Sequence, residues 1–339
     1  MGMNRRRLEE MIAAAALDAI EPARMDELLN TLDDDPDAAR ELSALQDVVA
    51  ALEEQHAISP PPGLRHSVLD AVSEIEPATL VAPTSPPEVY MGMVELMATR
   101  LSQLAPDQWA TTAHPYDWSV QALIAHLTSI ERYTAAKLGI ASFDYPEESE
   151  TDHLGLGEHV IAEESAHSPV ETMRAWRDAA DVVVGHVTSM SDDELRAGVG
   201  FHGFPVRVST LLVLRSFEIW THSDDVARAN GLPPTDPRPG ELRTMSMVSV
   251  RLAQQLLADG GTASGGLDLR LVLTGDGGGV FPVQLGDSPG SPAATVIADV
   301  VDYCRMASQR IAPDELRASI TGDTELARTF LGAAASFAV

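Results

Sequence analysis

The stretch RSFEIWTHSDDVARANGLP, from Arg215 to Pro233, decides how the chain is read. It continues a long helical pattern, and Gly231 followed by Pro233 and Pro234 stops that helix. Glu218 and His222 lie four residues apart and so share one helix face. A second pattern, SVQALIAHLTSIERY from Ser119 to Tyr133, carries His126 among Leu123, Ile124, Leu127 and Ile130. A histidine on that apolar stripe points into a core. Two imidazoles and one carboxylate suit zinc and several other divalent ions, and three protein ligands leave a position open for water or substrate. Spacing alone leaves the matter open. A Glu–His pair four apart is usually a surface contact, and a core histidine is usually satisfied by a hydrogen bond.

Working outward, four long helical patterns occupy about Glu88–Gln103, Ser119–Leu138, Pro169–Met190 and Arg207–Asn230. Four helices joined by longer connections point to a bundle over 88–234. The pattern changes in 235–339. A helix at about Leu242–Ala258 is followed by alternation at Leu267, Leu269, Leu271 and Leu273, which reads as a strand. A glycine-rich turn at Gly275–Gly279 leads to a returning strand, Val280–Leu285. A short strand, Ala294–Ile297, precedes helices expected near Asp299–Gln309, Pro313–Ser319 and Thr324–Ala334. This is a small α+β module.

Upstream, residues 76–87 (EPATLVAPTSPP) form a proline-rich linker. Residues 1–75 read as a small helical module with helices near Arg5–Leu17, Pro22–Leu32, Asp37–Gln55 and Gly63–Ser73. Leu42, Leu45, Val49 and Leu52 are expected to face one core. From Asp26 to Gln55 there are ten carboxylates against one arginine, Arg40. That reads as a solvated face or as a surface for a basic partner.

Composition sets the outer bounds. The 339 residues carry a net charge of −28, which opposes direct binding to phosphate backbones. No apolar run approaches about 20 residues, so no membrane span is expected. The one cysteine, Cys304, allows no internal disulfide, and the balance fits a soluble cytoplasmic protein. Cys304 itself reads as a buried helix residue.

TTAHPYDWSVQALIAHL, from Thr111 to Leu127, resembles the opening motif of the mycothiol-dependent maleylpyruvate isomerase family, and Arg215 to Pro233 resembles its second motif. ATVIADVVDYCRMASQRI, from Ala294, and GDTELARTFL, from Gly322, resemble its sterol-carrier-protein-like C-terminal domain. The resemblance implies a mostly α fold with a DinB-like metal-binding four-helix bundle. It assigns His126, Glu218 and His222 as metal ligands. It also implies a divalent metal, zinc by preference, and mycothiol, whose thiolate adds to an activated double bond and leaves after rotation to give the trans isomer. Metal-bound water as a hydrolytic nucleophile is the alternative.

An acidic substrate needs cations, and Arg305 and Arg310 in the C-terminal segment are the candidates, with ordinary surface arginines as the other reading. Asp225, three residues after His222, reads either as a partner that orients it or as a packing residue. The family often has Cys-Pro-Gly before the tryptophan. Here His114-Pro115-Tyr116-Asp117 stands there, and His114 reads as a turn residue.

The segment ALDAIEPARMDELLNTLDDDPDAARELSALQDVVAAL, followed by SPPPGLRHSVLDAV, resembles the anti-sigma domain of actinobacterial anti-sigma factors. The zinc-binding His and Cys places of that domain hold Thr31, Asp35 and Ala38 or Ala39, so zinc is not expected there. This resemblance implies an alternative function. The chain would be a cytoplasmic anti-sigma-type transcription regulator that binds a sigma factor through residues 1–75, while its metal bundle senses a thiol or small molecule.

Overall fold

The computed structural model describes residues 5–17, 24, 28, 31–32, 35–56, 81–143, 153–259, 268–285 and 292–336. The chain divides into two compact units, Met1–Glu74 and Ile75–Val339. Among the described residues no helix is long and apolar enough to cross a membrane.

In the first unit, α1 (Arg5–Ala16) packs on α2 (Pro36–His56). The Asp35 carboxylate accepts from the amides of Asp37 and Ala38, both at 3.1 Å, and so caps α2. Leu8, Met11, Ile12, Ala15, Leu28 and Ala38 form the core, with Leu32 and Leu42 against it. Leu45 does not join them and is exposed, so the expected apolar stripe holds at Leu42 and fails at Leu45. The side chains of Val49 and Leu52 lie outside the described set, as does all of the helix expected at Gly63–Ser73. Of Pro22–Leu32, residues 24, 28, 31 and 32 are described, and all are helical.

The second unit begins with a bundle of α3 (Pro86–Ser102), α4 (Val120–Lys137), α6 (Pro169–Val187) and α8 (Val208–Ala229). α3 packs on α8 and α6, and α4 packs on α6 and α8. Local chemistry sets the helix starts. Ser119 Oγ accepts from the Ala122 amide at 3.2 Å, and Ser168 pairs reciprocally with Glu171 in a capping box. The stop read at Gly231 is real: Gly231 takes φ 63°, and the Leu232 amide turns back to the Ala227 carbonyl at 2.8 Å. Strands β1 (Thr112–Ala113) and β2 (Trp118–Ser119) pair just before α4, and hairpin β3–β4 (Gly198–Phe201 and Phe204–Arg207), closed by the two-residue turn His202-Gly203 with both φ positive, leads directly into α8.

Two helices among the described residues escaped the sequence reading, α5 (His153–Glu164) and the short α7 (Asp192–Arg196). α5 holds Gly155 and Gly157, which lower helix propensity. Packing on α4 overrides that cost.

α9 (Pro239–Asp259) leads from the bundle into a four-stranded sheet of order β6-β5-β7-β8. β5 (Asp268–Thr274) pairs antiparallel with β6 (Gly279–Val283) and parallel with β7 (Pro292–Asp299). Leu269, Leu271 and Leu273 are buried as their alternation requires, and α10 (Val300–Ala307) and α11 (Thr324–Ala334) complete the module. The helix expected at Pro313–Ser319 is absent. A turn leads instead into β8 (Ala318–Gly322), paired antiparallel with β7. The Asp-Glu-Leu-Arg run favours a helix locally, and edge pairing with β7 outweighs that preference.

Candidate metal centre

His126 projects from α4, and Glu218 and His222 project from adjacent turns of α8. One candidate ligand atom from each lies within 4.8 Å of the other two. Glu218 Oε1 is 3.4 Å from His126 Nε2, and the two imidazole rings are 5.9 Å apart and nearly perpendicular. Both histidines are buried, at 2% exposure, while the Glu218 side chain keeps 15%. Trp118 packs on His126 at 5.1 Å, and Tyr116 packs on His222 at 5.8 Å. The two aromatic rings stack on each other at 5.0 Å. They come from the turn that carries Asp117 at φ 54°, a conformation that aspartate tolerates.

His222 is oriented from behind. Its Nδ1 is 3.1 Å from Asp225 Oδ2, and Asp225 in turn accepts from Arg310 Nε at 3.0 Å and Nη2 at 2.7 Å. A carboxylate on Nδ1 keeps the proton there and presents the Nε2 lone pair to the cluster. Of the two sequence readings of Asp225, the structure shows the orienting contact.

Arg305 does not reach the cluster. It pairs with Asp224 at 3.1 Å and Asp236 at 2.9 Å, and lies over the Trp220 ring. Arg310 lines a cavity with Glu218, His222, Phe217 and Ser249. His114 is exposed, 3.8 Å from Asp117. Cys304 is buried, and burial pushes its thiol up to about 12, so it is no ready nucleophile.

Sequence reading missed the groups that hold Glu218. Arg215, one turn earlier on α8, binds Glu218 Oε2 through Nη1 and Glu131 Oε1 through Nη2 at 2.8 Å. The Tyr90 hydroxyl, from α3, donates to the other oxygen of Glu131. Arg215, Glu131 and Tyr90 are completely buried. The available signal was a charged residue, Arg215 or Glu131, inside each of two otherwise core-forming helices.

The electrostatics follow from these contacts. Burial pushes the Glu218 carboxyl up, but Arg215 and the two histidines outweigh it and hold it well below the usual range. Burial lowers the His222 pKa, and Asp225 only partly offsets this, so the imidazole is neutral and free to act as a ligand. Asp225 also ends up lowered, because His222 and Arg310 outweigh its burial.

In the metal-free protein, all three shifts imply stability lost on acidification. Below about 6.5 the unfolded chain protonates its histidine before folded His222 does, and the carboxylates extend the loss to lower pH. The thermal midpoint is expected to fall steadily from about pH 6.5 to about pH 4. A midpoint that holds level or rises over that window would contradict the assignment.

The donor set fits a divalent cation. Glu131, Glu218 and Asp225 supply three negative charges and Arg215 and Arg310 two positive ones, an excess of one negative charge beside the two imidazoles. Asp225→Asn is expected to weaken zinc binding about 10–100-fold, read by chelator competition, because it loosens the orientation of His222.

Fold and site together define a helical bundle with a buried cluster of two histidines and one glutamate. Residues 91–227 match the family model described as the mycothiol maleylpyruvate isomerase N-terminal domain. The matched region holds His126, Glu218 and His222 and lies wholly outside residues 1–75. The solved structure of the mycothiol-dependent maleylpyruvate isomerase is similar at 19% identity and a TM-score of 0.47, over 70% of this chain and 93% of that one. A histidine-to-alanine mutant of it gives 19% identity and a TM-score of 0.45 over the same shares. No curated protein matches the chain.

Proposed function

We propose that the chain is a divalent-metal-binding protein of the mycothiol-dependent maleylpyruvate isomerase type, which adds or transfers a thiol on a small electrophilic acid. The observation that carries this reading is the convergence of His126, Glu218 and His222 in a buried pocket within the matched domain. The proposal includes zinc as the metal and a bundle at 88–234 followed by an α+β domain at 235–339.

A divalent cation bound there would lower the pKa of a thiol and hold it as thiolate. The chain's own residues do the rest. His222, fixed by Asp225, presents one nitrogen. Glu218, fixed by Arg215, presents Oε1. Tyr116 and Trp118 cover the two imidazoles and limit water. Arg305 and Arg310 are both engaged by carboxylates, so gripping an acid substrate would require an exchange of partners. The contacts favour Arg310 as a positioning residue that acts through Asp225.

The test uses cobalt(II)-loaded protein. Mycothiol is expected to produce a thiolate-to-cobalt charge-transfer band that is absent in Glu218→Ala. Cobalt-loaded protein that shows no band at saturating mycothiol would refute the thiol reading.

A further inference from the structure

We infer that Tyr90 and Glu131, neither of them a ligand, set the metal affinity of the centre through Arg215. This rests on the metal reading above. Glu218 has two oxygens, and Arg215 holds one of them, Oε2. Oε1 alone remains on the side of His126, at 3.4 Å. The carboxylate is thereby restricted to a single donor atom, and its rotation is blocked from behind.

A guanidinium bound to a ligand carboxylate has a cost, because it draws charge from the donor and repels an incoming cation. Glu131 answers that cost. It takes the other arm of Arg215 at 2.8 Å, in a site that admits no water, so the positive charge is shared between two carboxylates. Tyr90 completes the chain. Burial and the neighbouring Glu131 push its pKa well up, so it remains a neutral phenol that donates to Glu131. Three helices therefore meet on one ligand: α3 through Tyr90, α4 through Glu131, and α8 through Arg215 and Glu218.

Glu131→Gln isolates the effect. It leaves Arg215 paired with Glu218, so no uncompensated charge is buried, but the full guanidinium charge then falls on the ligand. Partners of this kind are worth about 10–100-fold in metal affinity. Tyr90→Phe removes a hydrogen bond without changing charge and should act in the same direction by a smaller factor. The control is Glu241→Gln. Glu241 is likewise buried and paired, with Arg238, but away from the centre. It should lower the thermal midpoint and leave zinc affinity alone.

The experiment is zinc affinity by chelator competition on the full chain, well below each variant's melting temperature, with the cobalt(II) visible spectrum as a second readout. The expected result is zinc binding weakened at least tenfold in Glu131→Gln and severalfold in Tyr90→Phe, an altered cobalt spectrum in both, and Glu241→Gln like the wild type. Zinc affinity within twofold of the wild type in folded Glu131→Gln overturns the relay. If that variant does not fold, unchanged affinity and spectrum in Tyr90→Phe overturn it. A wild type that takes up no zinc overturns the metal reading itself, and that outcome is read from stoichiometry rather than from the ratio between variants.

Discussion

Arg215→Met is expected to lower the unfolding free energy of the second unit by about 3–5 kcal/mol, one of the largest single-residue effects in the chain. Arg215 is completely buried and answers two carboxylates at once. Methionine fills much of the volume but leaves Glu131 and Glu218 without a counter-charge in a site that excludes water. Burial without a counter-charge favours the protonated form of a carboxyl group, so the loss should shrink as pH falls. Denaturant unfolding at about pH 7 and about pH 5 measures both effects. A loss under about 1 kcal/mol at neutral pH would show that the arginine does not compensate the pair.

The second large effect is on metal rather than stability. His222→Ala removes one of three donors, and its loss in zinc affinity should exceed the roughly 10–100-fold expected for an orienting partner such as Asp225. The metal-free variant should stay folded, because an alanine there buries no new charge, and Asp225 keeps Arg310 as its counter-ion. Circular dichroism beside chelator competition separates the two quantities. Affinity reduced no more than in Asp225→Asn would mean that His222 is not a donor.

Much of this architecture was legible in the sequence because its periodicities are clean. The four bundle helices, the stop at Gly231 and the buried alternation of Leu269, Leu271 and Leu273 all follow from local pattern. What stayed hidden was set by tertiary contact. The His153–Glu164 helix contains two glycines that read as breakers, yet Gly157 serves a need. A methyl group there would sit 3.1 Å from His126 Nδ1. Strand β8 pairs with β7, and its alternation, Ala318-Ser319-Ile320-Thr321, is too short to stand out after the helix-favouring run that precedes it.

The site divided along the same line. His126, Glu218 and His222 could be placed from helix-face arithmetic and family resemblance. Arg215 and Glu131 are 84 positions apart, and no local pattern joins them. Arg305 and Arg310 were visible as cations, but their engagement by Asp224, Asp236 and Asp225 appears only in three dimensions.

The most direct test of the account is elemental analysis of the purified chain after zinc loading and gel filtration, beside His126→Ala and His222→Ala. The account predicts about one equivalent of zinc in the wild type and a clear loss in both variants, with all three proteins folded. A folded wild type that retains no zinc, or variants that retain as much as the wild type, would contradict it.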